Sequence, residues 1–181
     1  MSGASRIRSA TAADAAAIAD IYNWYVANTA ITFEIDPVPA DEMARRIESV
    51  LAAHDWLVLE GDETLLGYAY AGRFRERAAY AQATESTIYL RHGAEGKGLG
   101  GPLYAELIRR TFARGYRHMV GAIALPNEPS VRLHERLGFV FAGRLLRIGR
   151  KFERWIDVGN WQLEKGTDPF FAIPPRAAGR A

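Results

Sequence analysis

The chain has 181 residues, 49% hydrophobic and 24% charged, with a net charge of +2; that is enough to bury one full core and short for two. The slight basic excess is not gathered into lysine or arginine runs, so a nucleic-acid partner gets no support. Cysteine is absent, which excludes disulfides, a thiol nucleophile and thiolate metal sites, and no stretch approaches the ~18 apolar residues of a membrane span.

Residues 1–5 lead into a strand without a signal-type apolar region, so the expectation is a cytoplasmic protein with no membrane partner. Residues 6–10 read as a short strand. Thr11 is a good N-cap, with Asp14 three positions on in a near capping-box arrangement. Ala15, Ile18, Ile21, Tyr22 and Tyr25 then recur at 3.6 spacing and predict a helix ending near Asn28. After a loop carrying Phe33, Glu34, Pro37 and Pro39, Asp41 is expected to cap a second helix. Its buried stripe is Met43, Ile47, Val50 and Leu51. Residues 56–60 and 65–72 predict a hairpin about Gly61-Asp62. Residues 73–79 form a polar connection holding Arg73, Arg75, Glu76 and Arg77. If that run is strand-like, alternation places its arginines on one side. A further strand covers residues 81–90, with its strongest β-formers at Thr87, Ile88, Tyr89 and Leu90.

That strand feeds the stretch E-S-T-I-Y-L-R-H-G-A-E-G-K-G-L-G-G, from Glu85 to Gly101. Gly96, Gly98, Gly100 and Gly101 sit directly before a helical pattern of Leu103, Leu107, Ile108 and Phe112. Glycine lets backbone N–H groups converge on an anion, and a helix start adds unpaired donors. A phosphate is therefore expected here. Gly115 ends the helix, residues 119–125 form another strand, and Pro126-Asn127-Glu128-Pro129 breaks it. A short helix over 130–137 is closed by Gly138, with Ser130 as its expected N-cap. Residues 139–148 and 155–164 are the last strands. No internal repeat or linker divides the chain, so residues 1–165 read as one domain and 166–181 as a tail. The order of elements predicts a mixed α/β sheet covered by helices.

Gly96, Gly98 and Gly101 satisfy G-x-G-x-x-G, yet the strand that should end in a ribose-binding carboxylate ends in Leu125, Pro126 and Asn127, which removes the dinucleotide reading. No Lys-Ser or Lys-Thr follows the glycines, which removes the ATP-type loop. A tight glycine turn without a ligand is the plain alternative.

The segment Glu95-Gly96-Lys97-Gly98-Leu99-Gly100 resembles the pyrophosphate loop of the GNAT superfamily of acyl-CoA-dependent N-acetyltransferases. Asn127-Glu128-Pro129-Ser130 with Leu133 to Phe139 resembles that superfamily's second CoA-binding segment. Thr32-Phe33-Glu34, the Arg73 to Arg77 connection, Glu85-Ser86 and Trp155 to Gln162 resemble the phosphinothricin/methionine sulfoximine N-acetyltransferase family. Together these cover residues 6 to 164.

The resemblance implies a mixed, mostly antiparallel twisted sheet with helices on both faces, acetyl-CoA as cosubstrate, no metal, and a homodimer. It implies direct acetyl transfer in a ternary complex to the amino group of a small amino-acid analogue such as phosphinothricin or methionine sulfoximine. The absence of a cysteine nucleophile is consistent with that route. The alternatives within the superfamily are another small amine or a protein N-terminus, and outside catalysis an acyl-CoA-binding sensor.

Acetyl transfer to an amine needs a base, because alkylammonium pKa values lie near ~10, an oxyanion donor, and a proton for the leaving thiolate. By resemblance Glu85 is the general base; read plainly, it is a strand carboxylate paired with Arg73, Arg75 or Arg77. His134 stands where many members carry an acidic tyrosine and could donate the same proton, or it is a helix histidine satisfied locally. The backbone of Ile88, Tyr89 and Leu90 is expected to pair with pantetheine amides where two parallel strands splay. Glu95, Gly96, Lys97, Gly98, Leu99, Gly100, Gly101, Asn127 and Ser130 are the remaining cofactor contacts, though the last pair also reads as a turn and a helix cap.

The amino-acid substrate is expected to meet Phe33, Glu34, Arg73, Arg75, Glu76, Arg77, Glu85, Ser86 and Thr87, where guanidinium forks suit a carboxylate or phosphinate. A solvated basic loop is the other reading of those arginines. Trp155, Asp157 and Trp161 read as core and dimer packing. One departure from the superfamily stands out: Glu95 replaces a usual Gln or Arg. With Lys97 supplying positive charge, the expectation is weaker CoA affinity, which Glu95→Arg should tighten.

Overall fold

Side chains alternate along a strand, so each apolar central strand presents two faces, and both need cover. A computed structural model of the chain, which describes residues 5–62 and 64–166, shows how that cover is supplied. Seven strands form one sheet: β1 (Arg6–Ser9), β2 (Trp56–Glu60), β3 (Leu65–Arg73), β4 (Ala83–Leu90), β5 (His118–Leu125), β6 (Val140–Lys151) and β7 (Arg154–Glu164). Their spatial order is β1-β2-β3-β4-β5-β7-β6, antiparallel throughout except for the parallel pair β4 and β5. The expected mixed, mostly antiparallel sheet is therefore present. Residues 167–181, most of the expected tail, lie outside the described residues.

Among the described residues four α-helices flank the sheet: α1 (Ala15–Asn28), α2 (Ala40–Leu51), α3 (Gly100–Ala113) and α4 (Glu128–Arg136). On one face Ile18, Ile21, Tyr25, Met43 and Ile47 of α1 and α2 bury against Trp56, Val58 and Tyr68. On the other, Leu103, Tyr104 and Leu107 of α3 bury against Leu57, Leu59, Ala69 and Ala71, with Leu133 and Leu137 at the α4 end packed alongside. β4 carries this division into the site. Tyr89 packs with the α1/α2 core, whereas Ile88 and Leu90 pack with the α3/α4 core.

Three boundaries differ from the sequence reading. α2 starts at Ala40 with extended Pro39 in the cap position, so Asp41 lies inside the first turn with Glu42. Both carboxylates still oppose the positive helix end. The cap of α4 is Asn127, whose Oδ1 accepts from the Ser130 N–H at 3.3 Å; Ser130 sits inside the helix. β6 runs on to Lys151, and a two-residue turn of Phe152 and Glu153, both at positive φ, closes the hairpin. Non-glycine residues at positive φ are uncommon, so the pattern of residue types gave no turn signal there.

Candidate active site

The parallel pairing of β4 and β5 stops early. Its rungs run from Ala83↔His118 to Ser86↔Gly121. β4 stays bonded to β3 as far as Leu90, and β5 to β7 as far as Leu125. Thr87 to Leu90 therefore face a gap, and buried backbone needs hydrogen-bond partners. Ile88 and Tyr89 border this gap. The Leu90 carbonyl is different, since it accepts from the Tyr25 hydroxyl at 2.7 Å.

The glycine-rich loop lies at the far end of β4. Gly96 and Gly98 hold φ of 75° and 78°, which side-chain-bearing residues resist, and a Cβ built on either meets nothing within 4 Å. The requirement there is conformational and the space above the loop is open. Leu99 and buried Gly100 open α3, and a Cβ on Gly100 would lie 3.4 Å from Leu133. Lys97 and Gly101 complete this loop, whose positive-φ glycines and helix start are of the kind that suits a phosphate group.

Glu85 stands opposite Gly72 on the α1/α2 side of β4. Partial burial raises its carboxyl pKa above the ordinary carboxylate value, and the Arg75 charge pulls it part of the way back. Thr87 lies two residues on, opposite Tyr70. Tyr70 is partly buried, and its pKa rises chiefly for that reason, with the charges of both Glu85 and Glu34 adding to the effect. One tyrosine thus sits within range of two carboxylates that are 51 positions apart in sequence.

The α1–α2 loop reaches this region through several contacts. Glu34 accepts from Arg46 at 2.7 Å, and Arg46 also binds Glu42 at 2.9 Å. Thr32 pairs with Tyr22 at 2.6 Å, and its carbonyl accepts from the buried Lys151 ammonium at 3.0 Å. The Phe33 ring presses on Gly149, where a Cβ would come within 2.2 Å of it. A cavity of about 390 Å³ lies behind, between α2 and the sheet, with Tyr22, Met43, Arg46, Trp56, Tyr68 and Tyr70 in its wall.

The arginine connection departs from the expected alternation. Arg73 ends β3 and the following residues bend into a short turn at Ala78–Tyr80. The Arg73 guanidinium folds back onto the carbonyls of Arg75 and Glu76, while Arg75 lies over the rings of Phe74 and Tyr80. Stacking and carbonyl capture outcompete an extended row. Arg75, Glu76 and Arg77 remain exposed.

On the opposite face a buried polar chain crosses four elements. The Ser86 hydroxyl meets Tyr104 at 2.7 Å, Tyr104 meets His134 Nε2 at 3.0 Å, and His134 Nδ1 meets the Ser130 carbonyl at 2.8 Å. Ser86 also lies 3.3 Å from the Val120 carbonyl. His134 is 3% exposed, and burial lowers its pKa against the opposing pull of the Ser130 carbonyl. A neutral ring keeps its proton on Nδ1 for that carbonyl and accepts from Tyr104 on Nε2. Gly121 makes room, since a Cβ there would fall 2.4 Å from Nε2. The ring therefore presents no N–H of its own to the gap, as in the second of the two sequence readings, a helix histidine satisfied locally.

Tyr25, Tyr70, Tyr104 and Lys151 were not singled out from sequence as site residues. The tyrosines fall on regular hydrophobic stripes and look like core. Among the described residues no group of histidine, aspartate and glutamate side chains is arranged to hold a metal. No helix there is long and apolar enough to cross a membrane.

Residues 7–159 match the acetyltransferase (GNAT) domain family. A phosphinothricin N-acetyltransferase of Streptomyces viridochromogenes is 42% identical over 170 residues, covering 94% of this chain and 91% of that protein. An L-methionine sulfoximine/L-methionine sulfone acetyltransferase of Pseudomonas paraeruginosa is 37% identical, covering 93% and 98% respectively. The crystal structure of a GNAT superfamily phosphinothricin acetyltransferase from Sinorhizobium meliloti, in complex with acetyl-CoA, superposes with a TM-score of 0.86. It is 35% identical and covers 94% of this chain and 96% of that one.

Proposed function

The chain belongs to the GNAT acetyltransferase family, and from that premise we propose that it acetylates the amino group of a small amino-acid analogue such as phosphinothricin or methionine sulfoximine. Acetyl-CoA is the donor, and transfer is direct within a ternary complex. One observation carries this reading: β4 and β5 part after Ser86↔Gly121, with Glu85 beside the mouth of the gap and the glycine loop at its end. The named activities of the relatives support the choice of substrate class.

When bound, acetyl-CoA supplies an acetyl group already activated as a thioester. The pyrophosphate fits the N–H groups of residues 95–101, with Asn127 and Ser130 at the neighbouring helix start, and Ile88 and Tyr89 offer backbone to the pantetheine arm. Glu85 takes the proton from the acceptor ammonium, and the rise in its pKa on burial makes it a stronger base. Arg75 and Arg77 offer exposed guanidinium groups to a carboxylate or phosphinate. Glu34, Phe33, Glu76 and Thr87 complete the acceptor side, Arg73 through the turn it pins; the Ser86 hydroxyl, expected there from sequence, is instead buried against Tyr104 on the opposite face of β4. His134 acts through Tyr104 and Ser86, which makes it a positioning residue in this reading. A second copy of the chain covers the exposed apolar side chains of β6 and the hairpin tip.

The test is thiol release from acetyl-CoA with a panel of phosphinothricin, methionine sulfoximine, methionine sulfone, ordinary amino acids, polyamines and peptides. Turnover concentrated on the amino-acid analogues supports the reading. Turnover only on polyamines or peptide N-termini, or CoA binding with no turnover, overturns it.

A further inference from the structure

Glu95 opens the phosphate loop, yet its carboxylate is turned back from the glycines that follow it. Oε2 accepts the Gly93 N–H at 2.6 Å, and Oε1 accepts the Tyr25 hydroxyl at 3.1 Å. The same hydroxyl donates to the Leu90 carbonyl at 2.7 Å, a three-centre arrangement. Tyr25 is itself fixed. It is 7% exposed, and its ring lies 5.1 Å from Trp24 and 5.0 Å from Tyr89. His92 stacks on Trp24 at 3.8 Å and brings Nδ1 to 3.7 Å from Glu95. Glu95 thus joins three parts of the fold: helix α1, the last residue of β4, and the first positive-φ glycine of the loop, Gly93.

A loop with Gly93, Gly96 and Gly98 at positive φ has much conformational freedom to lose when it closes on a ligand. A contact that fixes its start before the ligand arrives removes part of that cost. A carboxylate aimed into the phosphate site would do the reverse, by repulsion. The geometry separates these cases, because both carboxylate oxygens are engaged on the side of Gly93 and Tyr25. We propose that Glu95 is a positioning residue for acetyl-CoA, tethering the start of the pyrophosphate loop to Tyr25 and to the end of β4. This rests on the acetyl-CoA reading above. It also reverses the sequence expectation that Glu95→Arg tightens binding, since arginine removes the tether.

The experiment is calorimetric titration of CoA into the wild-type protein and the variants Glu95→Ala, Glu95→Arg, Tyr25→Phe and the double variant Glu95→Ala/Tyr25→Phe, with kcat measured at saturating acetyl-CoA. Glu95→Ala and Tyr25→Phe should each weaken CoA binding about tenfold, the worth of one charge-assisted hydrogen bond, with the acetyl-CoA KM rising in step and the loss in saturating kcat smaller than the loss in affinity. The double variant should be weaker by less than the sum of the two single losses, because both singles remove the Tyr25–Glu95 contact. Glu95 is exposed, so Glu95→Ala decides the matter even where Tyr25→Phe disturbs the core. CoA binding to Glu95→Ala or Glu95→Arg as tight as to wild type, or fully additive losses in the double variant, would overturn the proposal alone. Failure of the wild-type protein to bind CoA would overturn the functional reading and this proposal with it.

Discussion

At the scale of single residues, Glu85 and the Ser86–Tyr104–His134 chain lie on the two faces of one strand, and the proposed reaction uses them differently. Neighbours on β4 point to opposite sides, so the carboxylate belongs to the acceptor side and the hydroxyl to the buried α3/α4 side. Partial burial raises the Glu85 pKa, so the wild-type rate should fall as pH drops through that raised value and the base is lost. Glu85→Gln removes this acid limb. We expect kcat at neutral pH to fall by about 10²-fold or more, the usual contribution of a positioned base. The deficit should narrow as pH climbs toward the amine's own pKa, where free amine needs no base. An unchanged pH profile would take Glu85 out of this role. The neutral, buried His134 is consistent with a residue that fixes hydroxyl orientation at the last β4–β5 rung.

At the scale of elements, the side of the sheet proposed for the acceptor is held together by contacts between segments far apart in sequence. The α1–α2 loop is clamped onto the β6–β7 hairpin by Lys151 on the Thr32 carbonyl and by the Phe33 ring on Gly149. Gly149 is needed for close approach; its substitution would meet an aromatic ring at 2.2 Å. Gly149→Ala should therefore push Phe33 away and destabilise the fold by about 1–3 kcal/mol, the range for overpacking. The KM for the amino-acid analogue should rise while CoA affinity stays unchanged, because the glycine loop lies at the other end of β4. Urea unfolding and separate titration of the two substrates check this. Equal stability and equal KM would mean that the clamp does not shape the acceptor site.

At the scale of the whole molecule, the outer edge of the sheet carries an apolar surface. Phe141, Leu146, Ile148, Phe152 and Trp155 are each more than half exposed, with Leu146 at 68% and Trp155 at 61%. They lie along β6 and around the hairpin tip, on a long edge strand of the sort proteins otherwise shield. A second copy of the chain covering this surface would also press on the hairpin that holds Phe33, and so link assembly to the acceptor site. Trp155→Glu should shift the protein from dimer to monomer in sedimentation velocity at micromolar concentration. A wild-type chain that sediments as a monomer would sink this arrangement. Because Trp155 is exposed, the substitution should leave the unfolding transition of the monomer near that of wild type.

Local pattern was enough to read the strand–glycine loop–helix unit, the helical stripes of α1 and α3, and the hairpin at Gly61, because periodicity and turn chemistry act over a few residues. It also excluded the nucleotide-binding rivals, through a carboxylate and a Lys-Ser/Thr that are missing. What the sequence could not decide were contacts made by chain returning from a distance. The early end of β4–β5 pairing depends on three-dimensional strand placement. The conversion of the Arg73–Arg77 run from a row into a folded turn depends on ring stacking and carbonyl capture. The positive-φ turn at Phe152 and Glu153 is held by the strands it joins. The direction of the Glu95 side chain is decided by Tyr25, which sits 70 residues away in sequence and 3.1 Å away in space. A side chain's type is local information; its partners are set by packing, and packing turned the Glu95 carboxylate away from the glycines that follow it.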